Sequence, residues 1–248
     1  MTERDIDREE EKYGDRRVRV NSPFSERFDN FWFHHKGKVI AGVLLTLVLI
    51  LLVSQIVGRR NSNVMVAYSG PAYLSGDKQN ALQDLLSEIV SEKLGDAEFL
   101  IGVTQYLVYS QAQIESIRAE TFEDGEQKFM NSEFNSENYE NLYSYIMTGD
   151  TAILMLDPWL YEELLRNDRL LPMKDLFTAA PPSVDEKGYG IVLGETSLYE
   201  DYAILKEIPG DTVLCFLKQP VIGKISKNKA YAEMKETFIA IATAEKKS

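Results

Sequence analysis

Residues 39–58 carry no charge, and 39–57 read VIAGVLLTLVLILLVSQIV, interrupted only by Gly42, Thr46, Ser54 and Gln55. At about 1.5 Å per residue such a helix covers roughly the 30 Å hydrocarbon core of a bilayer. A core helix of a soluble protein keeps a polar face, which this segment lacks. A cleavable signal peptide lies nearer the start and is followed by small residues, whereas Ser54-Gln55-Ile56-Val57 closes this one. The stretch predicts a retained transmembrane helix over 39–58, in contact with membrane lipid. It leaves a tail over 1–38 and a separate domain over 59–248.

Basic residues close to the span set its orientation. Arg27, Lys36 and Lys38, with His34 and His35, precede it, and Arg59 and Arg60 follow. Within the tail, 1–15 hold three Lys/Arg and seven acids, while 16–38 hold six Lys/Arg and two acids. Positive charge therefore gathers against the span on its N-terminal side. This predicts a cytoplasmic N-terminus and an extracytoplasmic 59–248. Phe24, Phe28, Phe31 and Trp32 recur at helical spacing behind Ser22 and Pro23, a cap and first-turn signature. They suit either an amphipathic helix in the headgroup region or a short aromatic belt.

The chain has a formal charge of -12, one Cys and two His. The tail is balanced, so all the excess acid lies beyond the span and predicts repulsion from anionic lipid or wall polymers. The same balance excludes nucleic acid as a partner. A single cysteine excludes a disulfide framework within the chain, and Cys215, inside the apolar run 213–217, reads as a buried strand thiol.

Beyond the span, apolar runs alternate with helical patterns. VMVAY at 64–68 is a strand; Leu82, Leu85, Leu86, Ile89 and Val90 share one face of a helix that Ser75 or Asp77 can cap and Gly95 ends. FLIGV at 99–103 begins about 35 residues after the first strand, the length of a βαβ unit with a right-handed crossover. A helix ending at Ile146 and stopped by Gly149, a strand at 151–156, and a helix opened by Asp157-Pro158 follow. After Ala179-Ala180-Pro181-Pro182 the pattern weakens; 188–193 reads as a strand or extended edge, 213–217 as a strand, and Tyr231, Met234, Phe238 and Ile241 as a closing helix. The alternation predicts an α/β domain of three layers around a mostly parallel sheet.

The stretch Tyr145-Ile146-Met147-Thr148-Gly149-Asp150 through Asp157, continuing to Leu164 and then Leu170-Leu171-Pro172-Met173-Lys174-Asp175-Leu176, resembles extracellular solute-binding proteins of bacterial ABC transporters. The resemblance implies one lobe of a type 2 periplasmic-binding-protein fold. It departs from the family in length, because about 190 residues accommodate one lobe and not two, and in its attachment through a helix. With Phe31-Trp32-Phe33-His34-His35-Lys36 before the span and Tyr68-Ser69-Gly70-Pro71-Ala72-Tyr73-Leu74-Ser75 after it, the whole also resembles uncharacterised single-span proteins of Gram-positive bacteria.

The inventory for catalysis is small. Both His residues precede the span, so no Ser-His or Cys-His couple can form beyond it. No phosphate-binding glycine motif or zinc motif occurs; Gly188, Gly190 and Gly194 have the wrong spacing, and Glu123-Asp124-Gly125-Glu126 is one acidic turn. The chain is expected to be no enzyme and to need no cofactor or metal. In open α/β sheets a ligand crevice lies beyond the carboxyl ends of the strands. Those ends bring Ser69, Gly70 and Tyr73, then Tyr106, then Asp157 and Trp159, a set that suits a sugar or peptide. Asp157 ahead of Pro158 is equally a helix cap, and Gly70-Pro71 a turn. Two readings follow: an interaction module with an envelope or membrane protein as partner, or a sensor that presents a small ligand.

Overall fold

A computed structural model of the chain describes residues 23–57, 62–120 and 131–245, with side chains of the first helix described over 31–51. Ser22, Arg59, Arg60, the acidic turn at 123–126 and the tail over 1–21 lie outside the described residues, as do the side chains of Phe24, Arg27 and Phe28. The chain divides into two units, Met1–Arg60 and Asn61–Ser248.

Among its described residues the first unit forms one helix, α1 (Pro23–Val57), of 35 residues. Within it Phe31–Leu51 is long and apolar enough to cross a membrane. The helix is continuous from Pro23, so the aromatic segment and the apolar segment form one rod without a turn between them. Gly37 and Gly42 do not break it, since an isolated Gly costs a helix only about 1 kcal/mol. Thr46 returns its hydroxyl to the Gly42 carbonyl at 2.9 Å, leaving no free polar group on that turn.

The second unit is an α/β domain with five strands: β1 (Val64–Gly70), β2 (Ile101–Leu107), β3 (Ile153–Leu156), β4 (Gly190–Val192) and β5 (Val213–Phe216). Their order is β2-β1-β3-β5-β4. β1 pairs in parallel with β2 and β3, whereas β5 runs antiparallel to both β3 and β4. Four strands therefore share one direction and β5 opposes them.

Helices α2 (Gly76–Leu94), α3 (Gln111–Ala119), α4 (Ser132–Met147), α5 (Pro158–Arg166), α6 (Ser197–Asp201) and α7 (Asn228–Ala242) complete the domain. α2 and α7 pack on each other over one face of the sheet. There Phe216 meets Tyr231 and Phe238 with ring centroids 5.3 Å apart in each pair. α4 and α5 cover the other face, where Tyr106 of β2 meets Tyr145 of α4 at 5.9 Å. Both faces being covered explains why β1, β3 and β5 are apolar without alternation. Ile153, Leu154, Leu156, Cys215 and Phe216 are all fully buried.

The expected elements are present, with β2 starting at Ile101 and not Phe99, β3 at Ile153 and not Thr151, and three further local differences. β2 runs on to Leu107 because its register continues beside β1 to Gly70, so Tyr106 lies inside the strand. Ser75 occupies the N-cap of α2 but makes no side-chain cap bond; the preceding loop is held from β2 instead. The weak segment at 188–193 is an edge strand of three residues, placed there by β5.

Candidate functional site

The carboxyl ends of β1, β2 and β3 meet at the position where β1 is flanked by strands reached in opposite directions along the sheet, the usual place for a crevice. Five of the six predicted residues, Ser69, Gly70, Tyr106, Asp157 and Trp159, come together there. Ser69 is fully buried and its hydroxyl donates to the Tyr106 carbonyl at 3.1 Å. The Asp157 N–H donates to the Ser69 carbonyl at 2.8 Å, which joins the ends of β1 and β3. Gly70 lies against the Tyr68 ring: a Cβ there would stand 3.0 Å from the phenol oxygen.

Asp157 caps α5 as its position before Pro158 implies. Oδ1 accepts from the Trp159 N–H at 3.1 Å and Oδ2 accepts from Gln113 Nε2 at 2.8 Å. Gln113 is itself part of a capping box at the start of α3, accepting from the Ser110 N–H while its own N–H donates to Ser110 Oγ. Burial raises the Asp157 pKa above the ordinary carboxylate value, and the bonds from Gln113 and Trp159 oppose that rise.

The loop between β1 and α2 is held down from several sides. Gln105 clamps Leu74, accepting from its N–H at 3.0 Å and donating to its carbonyl at 2.7 Å. The Tyr68 phenol accepts from the Ala72 N–H, and the Tyr109 phenol donates to the Pro71 carbonyl. Asn135 of α4 in turn brackets the Tyr109 backbone through both ends of its amide. Burial pushes the Tyr68 phenol up to about 12.

The aromatic members divide. Trp159 is half-buried and stacks on Tyr139 with centroids 6.2 Å apart and planes 13° from parallel. Its indole N–H is buried and meets no acceptor among the described residues. Tyr139 and Tyr143 both donate to Glu163 Oε1, at 2.5 and 3.1 Å. Tyr73 stands apart from the cluster at 66% exposure.

Sequence reasoning located Ser69, Gly70, Tyr106, Asp157 and Trp159 at one end of the sheet, but missed Gln105, Tyr109, Gln113 and Asn135. Of these, only Gln113 had a local signature, the Ser110-x-x-Gln113 box. The others act across the fold and leave no mark in local spacing.

Among the described residues no cluster of three or more His, Cys, Asp or Glu side chains converges on a point. Cys215 is fully buried and its thiol is pushed far up by that burial, so it holds no thiolate at neutral pH. A separate cleft of about 300 Å³ opens at the other end of the sheet, between the end of α4 and the loop after β5, with Met147, Leu217, Pro220, Val221 and Ile225 in its wall. None of the six predicted residues lines it. Comparison with family models, with curated proteins and with solved structures finds no match.

Proposed function

We propose that the chain is a membrane-anchored, non-enzymatic interaction module whose domain, Asn61–Ser248, corresponds to one lobe of a solute-binding architecture facing the outside of the cell. The carrying observation is that the polar groups at the strand ends are already bonded to their own loops. Ser69, Gln105, Tyr109 and both oxygens of Asp157 hold backbone or side chains of the domain. A small solute would have to break those bonds before gaining its own, at roughly 1–3 kcal/mol for each group left unpaired. A protein partner can instead dock on the pinned surface and its exposed Tyr73 without disturbing them.

Two features support the one-lobe reading. β1 lies between β2 and β3, and the chain after Leu176 returns to the same sheet through β4 and β5. Tight capture of a solute between two closing lobes buries most of its surface, and one lobe provides half that wall. The basic residues before the span favour a cytoplasmic N-terminus. Protease added to protoplasts should then remove the domain and spare the tail; protection of the domain would reverse the orientation.

A photo-crosslinking residue at position 73 in intact cells tests the interaction. A discrete adduct, absent when the crosslinker stands at exposed Lys187, supports the reading. Calorimetric binding of a sugar or peptide by Asn61–Ser248 with a micromolar constant, and no adduct, would establish the ligand-sensor alternative instead.

A further inference from the structure

Residues 212–232 contain four lysines and no acid, in a chain whose formal charge is -12. They include the loop after β5, where Val221 is 94% exposed and Ile222 68%. A single exposed aliphatic residue is ordinary; two at a loop apex, beside the half-exposed Met147, form a patch that asks for a cover.

This apex is held out by its backbone. Gly223 has φ +100, and a Cβ on it would fall within 1.9 Å of the Thr148 carbonyl oxygen. Gly149, at φ +64, faces the Ile222 carbonyl in the same way. The two backbones thus press together where only glycine fits. Gln219 Nε2 fastens the base of the loop, donating to the Ser226 carbonyl and to Asn228 Oδ1.

The lysines have no structural duty that explains all of them. Lys218 and Lys224 pair with Asp168 and Asp150 at the surface, but Lys227 and Lys229 are exposed at the start of α7, whose first turn has no acid and no side-chain cap. A helix N-terminus disfavours cations, so these two are placed against the helix dipole. Phe216 pairs with Ile153, and Ile153 is in register with Val66, so the loop projects at the end of the sheet where β1 begins. Only residues 58–63 separate α1 from β1, at most about 22 Å of extended chain.

We propose that this loop docks on the bilayer surface, with Val221 and Ile222 entering the interface and the lysines meeting anionic headgroups. The proposal rests on the reading that α1 crosses that bilayer. Exposed apolar side chains on a loop flanked in sequence by lysines are the composition that an anionic interface retains. The acid excess of the whole domain does not prevent this, because contact occurs within a Debye length of about 8 Å, where the local charges dominate.

The test uses the full chain in lipid vesicles with a polarity-sensitive fluorophore on a single introduced cysteine; Cys215 is buried and does not compete. Leu47→Cys reports the span, Ile222→Cys the loop, and Tyr73→Cys the opposite end of the sheet. In vesicles of phosphatidylcholine with phosphatidylglycerol, label 222 should shift to the blue, lose iodide quenching and be quenched by nitroxide lipid, while label 73 stays open to iodide. Replacing Lys224, Lys227 and Lys229 by Gln, or omitting phosphatidylglycerol, should remove most of that shift. Label 222 as open to iodide as label 73, with label 47 in lipid, would overturn the docking alone. Label 47 in water would overturn the span and the docking with it. A blue shift at 222 that survives the lysine changes, or that needs native membrane proteins, would also overturn the proposal.

Discussion

Gln113 Nε2 donates to Asp157 Oδ2 at 2.8 Å, so the capping box of α3 and the cap of α5 are one hydrogen-bonded unit. Two helices that start from different strands are thereby aligned at the same end of the sheet. The carboxylate is a joint in the scaffold, and its replacement should register as lost stability.

Asp157→Ala removes the cap and strands the Gln113 amide, at a combined cost of about 2 kcal/mol. Asp157→Asn keeps an acceptor for Trp159 but turns an amide group toward the Gln113 amide, at about 1 kcal/mol. Because the folded pKa is raised, the native carboxyl holds its proton longer than the unfolded one. Stability should therefore fall as pH rises from the ordinary carboxylate value through the raised one, and both substitutions should remove that slope. Urea titrations across the acid range measure both effects.

Cys215 should be inert in the folded protein. Its burial is complete and its thiol is pushed up, so alkylation by iodoacetamide at neutral pH should proceed only through unfolding. The labelling rate should follow the global unfolding equilibrium as urea is added; rapid labelling without urea would contradict the packing.

Gly223→Ala should destabilise the domain by about 2–3 kcal/mol, since it combines a left-handed backbone with a collision against the Thr148 carbonyl. Half-buried Gly188, at φ +76 with open space where a Cβ would stand, should cost only about 1 kcal/mol for the same change. Thermal denaturation of the pair separates strain from collision.

Tyr139, Tyr145 and Tyr161 are all pushed well above the ordinary phenol value, first by burial. Tyr139 and Tyr161 also donate to carboxylates, Glu163 and Asp185. The native state then keeps phenol protons that the unfolded state releases, so stability should fall as pH rises above about 10. Tyr145→Phe gives up no hydrogen bond to the described residues and should flatten this alkaline slope, as read by tyrosinate absorbance and urea midpoints.

The elements with their own periodicity were legible from the chain. The buried face of α2 at Leu82, Leu85, Leu86, Ile89 and Val90 is the one its spacing indicates, and Gly95 ends the helix at φ +72. The strands were legible for a related reason: residues covered on both faces must be apolar throughout. Local pattern did not disclose direction. Nothing in VLCF states that β5 opposes β3, because reversal depends on which end of the sheet the 190–212 segment delivers the chain to. Site residues followed the same division. Asp157 was visible through Pro158, whereas the Gln105 clamp on Leu74 joins residues 31 apart and is set by the β1–β2 register.

Placing β5 between β3 and β4 also fixes the order in which the sheet can be completed. β1, β2 and β3 adjoin one another and can associate as they are made, but β4 has its partner only when residues 213–216 arrive. Until then β3 offers an unsatisfied row of amides and carbonyls in the middle of what will be the interior, and the short β4 segment has nothing to join. A chain delivered from its N-terminus must keep that gap open until residues 213–216 have been made. Premature release or truncation before residue 213 would leave a three-stranded fragment with a pairing edge exposed, the kind of species that aggregates before it can mature.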